Sequence, residues 1–345
     1  MAEKVLIGMS GGVDSSAAVL LLKEQGYDIK GLTLCLYNDE KTPKAVADAK
    51  AVCNKMQIPF ESLNLEGEFN KRVITPFITD YENGFTPNPC IECNKHIKFG
   101  AMLDYATQNG FDKIATGHYA NIKKQGDRYV LTRAKDLSKD QTYVLYPLTQ
   151  HQLAHTLLPL GDLTKAQVRE KAMENGFVNA NKADSQDICF VPDGDYAAFI
   201  SRTLGTDFER GNFVDLDGKV IGTHAGMIKY TVGQRKGLGM GFGKPMYVIT
   251  KNPKTNTVVL GDEPNLFTKK VIVRDVNFVA MERLLGDVNC SGKLRYRHNE
   301  QPCKIIPLDE TTILAEFLEP QRAPTPGQSA VFYDGDTVLC GGIIE

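Results

Sequence analysis

The chain has 345 residues, 42% of them hydrophobic and 24% charged, with a net charge of −2. That length and composition suit two or three globular domains with ordinary cores and exclude a disordered polyelectrolyte. The near-neutral charge excludes a uniformly basic surface, so any RNA binding needs local basic patches. No apolar run reaches the length of a membrane span. The N-terminus passes directly into a charged residue and a strand pattern, so no signal peptide is expected. Eight cysteines without an export signal point to reduced thiols in a cytoplasmic protein.

The first predicted elements are a buried strand over 4–9 and a helix over 14–25 that stops at Gly26. Between them lies Ser10-Gly11-Gly12-Val13-Asp14-Ser15-Ser16. Glycines at such a turn let backbone N–H groups converge without Cβ clashes. The helix N-terminus adds partial positive charge there, and Ser and Asp suit the N-cap. The expectation is an anion cradle for phosphate. No Gly-Lys-Ser/Thr follows, so this is not the Walker-type loop, and G-x-G-x-x-G is absent. SGGVDSS resembles the PP-loop of enzymes that cleave ATP to AMP and pyrophosphate. The plain alternative is a tight glycine turn capping an ordinary helix.

A second apolar run at 29–37 completes a βαβ unit, which implies a parallel sheet. Thr42-Pro43 opens a helix with Ala45, Ala49, Val52 and Met56 on one face. A strand at 60–65, a helix at 68–84, a rigid TPNPC loop at 86–90, a helix at 93–109 and a strand at 113–118 follow. Ligands of an open parallel sheet sit beyond the strands' carboxyl ends, where the glycine loop, Leu34 and Gly117 would lie. Residues 121–133 read as a hairpin turning at Gln125-Gly126-Asp127. Residues 139–175 read as mostly helical, with a Thr164/Gln167 capping box. After about residue 205, short β-like segments alternate with Gly, Asp and Pro turns. The division expected is an α/β domain at 1–204, a small central β-rich domain at 205–280 and a β-rich C-terminal domain at 281–345.

Cys90 and Cys93 form C-x-x-C where the Pro-rich loop enters a helix, and Cys189 lies in another loop of the first domain. Three readings compete for them. They are unrelated thiols; or, with His96, they hold zinc; or they carry sulfur, as a persulfide resolved by thiol exchange or as a three-thiolate cluster with one open iron. Cys35, Cys53, Cys290, Cys303 and Cys340 lie in apolar segments and read as core fillers.

From end to end the chain resembles the tRNA-specific 2-thiouridylase family, which thiolates the wobble uridine. The resemblance rests on GMSGGVDSS, TPNPCIECN, ATGHYA, KDQTYVL, DSQDICFV, TVGQRKGLG, LRYRH and TPGQSAVFY in that order. It implies an adenine-nucleotide hydrolase-like α/β domain, a small central domain and a C-terminal β-barrel. It implies ATP bound by Gly8, Met9, Ser10, Gly11, Gly12, Val13, Asp14 and Ser15, with Leu34 near the adenine and Gly117 contributing backbone. Asn88, Pro89 and Cys90 would face the target base. Cys93 matches the nucleophile position and Cys189 the persulfide position, and these two can form a disulfide after turnover. His118, Lys139, Asp140, Gln141, Arg295, Tyr296 and Gln328 match positions that touch tRNA.

One position departs from the family pattern. Many members carry Asp where this chain has Cys90. Cys90, Cys93 and Cys189 together are similar to the ligand set of tRNA thiolases that use a 4Fe-4S cluster, so a cluster stands beside the persulfide route. In either case the uridine is drawn from its stack, its O2 attacks the ATP α-phosphate, pyrophosphate leaves, and sulfur then displaces AMP. Asp14 would help hold Mg2+. The expected partners are tRNAs for Lys, Glu and Gln, and a cysteine desulfurase or sulfur-relay protein. Two rivals keep the same loop: an ATP-dependent ligase or amidotransferase acting on a small molecule, and a non-catalytic RNA-binding protein.

Overall fold

A computed structural model describes residues 2–37, 42–180 and 188–345. Its first sheet contains β1 (Lys4–Gly8), β2 (Asp28–Cys35), β3 (Phe60–Asn64) and β4 (Lys113–Ala115). A hairpin follows, β5 (Asn121–Gln125) and β6 (Arg128–Thr132), and then a short β7 (Thr156–Leu157). The first sheet runs β3-β2-β1-β4-β7, with every pairing parallel. Helices α1 (Val13–Glu24) and α2 (Thr42–Met56) cover one face. Alternation along β1 dictates this layering: Val5 and Ile7 join the cluster containing Ala17 and Val52, while Leu6 joins Phe99 and Met102 on the other side. Strand order reverses between β1 and β4, which opens a crevice at their carboxyl ends.

The helical run at 66–82 contains a π-helical stretch, Asn70–Ile74. The run at 89–108 contains another, Cys93–Ala101. Such stretches are rare and concentrate at functional sites.

Residues 139–175 are helical over just more than half their length, in three separate pieces. They form short helices Thr142–Leu145 and Gln150–Ala154, then β7, then the helix Lys165–Glu174. Their apolar residues are buried on all sides rather than along one stripe, because this segment wedges between sheets. Tyr143 donates to the Ser329 carbonyl at 2.7 Å, and Tyr146 bonds the Ser329 hydroxyl at 3.0 Å. The Thr164/Gln167 capping box forms as expected.

The second sheet, ordered β10-β11-β8-β9, contains β8 (Gly211–Val214), β9 (Val220–His224), β10 (Tyr247–Asn252) and β11 (Thr257–Gly261). The third contains β12 (Phe267–Phe278), β13 (Val288–Lys293), β14 (Gln301–Pro307), β15 (Ile313–Arg322), β16 (Ser329–Asp334) and β17 (Thr337–Ile344). It closes into a barrel because β12 pairs with both β15 and β17. Two features depart from the sequence reading. β12 lies within 205–280 yet belongs to the barrel sheet. The hairpin β5–β6 leaves the first domain and extends the barrel sheet through Thr132 opposite Thr337. Cys53, Cys303 and Cys340 are buried core residues, while Cys35 and Cys290 are half-buried.

Candidate active site

The glycine loop lies at the carboxyl end of β1, in the crevice. Gly11 has φ +68°, and a Cβ there would sit 2.6 Å from the Ala45 carbonyl oxygen at the start of α2. Only glycine meets both constraints. At the end of β4, a Cβ on Gly117 would lie 2.8 Å from the Ser15 nitrogen. The two glycines therefore let α2 and β4 close on the loop. Ser and Asp do not cap α1: the N-cap is Gly12, with no side-chain cap. The hydroxyls of Ser15 and Ser16 instead donate back to the Gly12 carbonyl at 3.1 and 3.0 Å. The first-turn N–H groups of α1 thus have no side-chain cap to compete with an incoming anion. This is a cradle that fits a phosphate group.

Two residues that the sequence reading missed shape the cradle. Asn179, 3% exposed, donates from Nδ2 to the carbonyls of Gly11 and Gly12, both at 3.2 Å, and to the Ser16 hydroxyl at 2.9 Å. It turns those carbonyls away from the crevice. The Lys165 ammonium contacts both Asp14 oxygens at 2.7 and 2.8 Å. Tyr119 donates its hydroxyl to Asp14 at 2.7 Å. A capping box at Thr164 was legible in the sequence; that the next residue reaches the glycine loop was not.

The route from cradle to thiols is short. Gly117 touches Ser15, and His118 follows it. His118 is buried, bonds Thr116 Oγ1 through Nδ1 at 2.7 Å, and lies 5.5 Å from the Phe99 ring. Burial and then the Lys98 charge hold the imidazole well below its ordinary pKa, so it is neutral. Lys98 acts on the thiols as well. Cys93 is 7% exposed, and burial pushes its thiol up to about 12, with Lys98 opposing and Cys189 and Cys90 adding. Cys189 is exposed as a residue, yet desolvation against its surroundings and then Cys90 raise its thiol, with Lys98 again opposing. The three cysteines therefore share one electrostatic neighbourhood.

Packing explains the convergence. Phe190, next to Cys189, meets Phe69, Phe77 and Phe199 at ring distances of 5.7, 5.3 and 5.1 Å. Cys93 and Ile97 belong to that same cluster. Asn88 accepts from the Cys90 N–H at 3.1 Å and starts the helix that carries Cys93, with Pro89 in its first turn. Half-buried Leu34 packs against both this cluster and the one beneath the sheet. The segment 181–187, which includes most of the DSQDICFV motif before Cys189, lies outside the described residues.

The residues matched to tRNA contacts have varied surroundings. Asp140 is buried, accepts from the Ala134 N–H at 3.0 Å and from Thr142 Oγ1 at 2.5 Å, and is raised by burial. Gln141 accepts from the Tyr119 N–H at 2.8 Å, so the same tyrosine braces this turn and Asp14. Arg295 donates to the Ala323 carbonyl at 2.7 Å and to Thr325 Oγ1 at 2.5 Å. Gln328 donates to the Thr86 carbonyl at 2.6 Å, which ties the barrel to the TPNPC loop. Tyr296, 40% exposed, faces Lys293 and feels the charge of Cys90. Half-buried Lys139 completes the set.

Among the described residues, no three His, Cys, Asp or Glu side chains are placed to hold a metal ion. The three thiols are thus not gathered around a single metal ion. Asp14 is held by Lys165 and Tyr119.

Comparison with known proteins agrees with the layout. Residues 3–193 match the family model described as the tRNA methyl transferase HUP domain. Residues 197–262 match a tRNA methyl transferase PRC-barrel domain, and 268–344 an aminomethyltransferase beta-barrel domain. A protein named tRNA-specific 2-thiouridylase MnmA from Clostridium botulinum (strain Alaska E43 / Type E3) is 48% identical, covering 99% of this chain and 98% of its own. The protein of that name from Clostridioides difficile (strain 630) is 51% identical, covering 100% and 99%. Among solved structures, the U34-tRNA thiolase NcsA from Methanococcus maripaludis, with its 4Fe-4S cluster, shares 17% identity over 58% of this chain and 66% of that chain, with a TM-score of 0.37. Near-half identity along essentially the whole length makes this chain a member of the tRNA-specific 2-thiouridylase family.

Proposed function

We propose that the protein is an ATP-dependent sulfurtransferase that converts the wobble uridine of tRNA, position 34, to 2-thiouridine through an adenylated base and a Cys189 persulfide. The observation that supports this best is the succession of Gly117, against the glycine loop, and His118, which feels the same Lys98 charge as Cys93 and Cys189. A base held there reaches a nucleotide on one side and sulfur on the other.

The loop N–H groups and the α1 N-terminus hold the ATP phosphates and stabilise charge as pyrophosphate leaves. Uridine O2 attacks the α-phosphorus, the bond to the β-phosphate oxygen breaks, and N3 gives up its proton. The terminal sulfur of the Cys189 persulfide then bonds C2, and the C2–O2 bond breaks with its electrons going to AMP. Cys93 gives its proton to N3 of the departing base, and its sulfur attacks the Cys189 sulfur. The S–S bond to the transferred sulfur breaks, 2-thiouridine is released, and a Cys93–Cys189 disulfide remains for a thiol reductant to open. Burial keeps Cys93 protonated until that step, which protects the persulfide from early cleavage. The persulfide route is preferred to a cluster as the one that the family resemblance assigns to Cys93 and Cys189. Asn88, Pro89, Cys90, Lys139 and Tyr296 are assigned to the tRNA side. His118, Asp140, Gln141, Arg295 and Gln328 are assigned to shaping that side from within.

The tRNAs for Lys, Glu and Gln are the proposed substrates, with a cysteine desulfurase or relay protein as sulfur donor in the cytoplasm. Pyrophosphate release provides the test. Release that requires tRNA, persists in Cys189→Ser and yields no thiouridine in that variant is the expected result. Release without tRNA indicates a small-molecule ligase, and no release under either condition indicates a binding protein. Thiouridine formation at wild-type rate by Cys189→Ser refutes the persulfide.

A further inference from the structure

Lys98 lies in the π-helical stretch Cys93–Ala101. Hydrogen bonds of a π-helix run between residues five apart, so Cys93 and Lys98 are one turn apart and stack on one face. In an α-helix the same spacing would carry Lys98 well round the helix from Cys93. The unusual local winding thus puts Lys98 on the helix face that carries Cys93. The residue is half-buried. Among the described residues, the acids nearest Lys98 in sequence are otherwise engaged or distant: Glu92 faces His96 at 3.3 Å, and Asp104 lies beyond the end of the π-helical stretch. Among the described residues, Cys90, Cys93 and Cys189 influence one another, Lys293 lies at Tyr296 beside Cys90, and Lys98 is the cation that acts on Cys93, Cys189 and His118 alike.

We propose that Lys98 is the anion-binding residue of the sulfur site: its ammonium faces Cys93 and Cys189 and holds the negative charge that sulfur carries during transfer. The inference rests on the sulfurtransferase reading for its purpose, but not for its test. A buried sulfur anion without a counter-charge is costly. A lysine on a flexible stem supplies a compact charge that can follow sulfur from one cysteine to the other. Neutral His118 floors the site without competing for the anion.

The experiment compares alkylation of the reduced full-length protein by iodoacetate, an anion, and by iodoacetamide, its neutral analogue, with peptide mapping of Cys93 and Cys189. A local cation favours the anionic reagent, so the ratio of the two rates reports charge at the thiols without tRNA or ATP. In Lys98→Met the iodoacetate-to-iodoacetamide ratio at Cys189 should fall roughly five- to tenfold, and Lys98→Arg should keep it near the wild-type value. A variant altered only in packing would change both reagents together. An unchanged ratio in Lys98→Met overturns the proposal. A lowered ratio in a protein that proves unable to thiolate tRNA would uphold the anion site and refute the sulfurtransferase reading instead.

Discussion

The proposed nucleotide cradle and the proposed sulfur site are built in opposite ways. The cradle is local: Gly8 to Ser15, one strand end and one helix start, closed by glycines where α2 and β4 approach. Its anion affinity comes from backbone groups that every residue carries. The sulfur site is assembled from afar. Cys93 rides on a π-helical stretch, Cys189 on a turn pinned by Phe190, and only an apolar cluster of aromatic rings brings them together. A site made of backbone geometry leaves a compact motif in the sequence, whereas a site made of packing leaves scattered residues whose relation only the fold reveals.

The largest expected effect follows from that difference. Phe190→Ala removes the ring that anchors the Cys189 turn in the aromatic cluster. It should lower stability by about 3–5 kcal/mol in denaturant unfolding. At temperatures where the variant stays folded, nucleotide affinity should remain near wild type while thiolation is lost. If nucleotide affinity fell as far as thiolation, the two sites would not be separable. Gly11→Ala is the converse. Its Cβ meets the Ala45 backbone at a positive φ, and a loss of about 1–3 kcal/mol is expected. Nucleotide binding by calorimetry should vanish, and the iodoacetamide reactivity of Cys189 should not change.

Asn179→Ala frees the Gly11 and Gly12 carbonyls and removes a buried amide. A cost of about 1–2 kcal/mol is expected, together with a raised KM for ATP, because the loop loses its brace but not its donors. The smallest effect concerns pH. His118 has its pKa depressed in the fold, so the unfolded chain takes up that proton first. The contribution is complete above the ordinary value of 6.5 and is lost as pH falls below it toward the depressed folded value. His118→Gln should therefore flatten the stability–pH curve below that point, by at most about 1.4 kcal/mol per pH unit. His96, His224 and His298, depressed in the same direction, leave some slope in the variant.

Much of the layout was legible from the chain alone. The parallel sheet followed from apolar runs alternating with helical periodicity, and the cradle from a serine-glycine-glycine turn between strand and helix. Within 139–175 the helices were legible but their breaks and the short β7 were not, because buried residues on all sides of a wedge mimic continuous helical spacing. The destination of β5–β6 was hidden, since a hairpin's alternation says which face is apolar but not which sheet it joins. Lys165 and Asn179 carried no signal, because each reaches the glycine loop only through tertiary contact. Lys98 was invisible for a subtler reason: α-helical spacing sets it apart from Cys93, and only the π-helical winding aligns them.

A single-turnover experiment tests the central claim most directly. Enzyme loaded with one persulfide is mixed with ATP and unmodified tRNA, without reductant, and quenched over time. The account predicts that 2-thiouridine and a Cys93–Cys189 disulfide, mapped by mass spectrometry, appear together in equal amounts. Full conversion of the uridine with both thiols still free would contradict it.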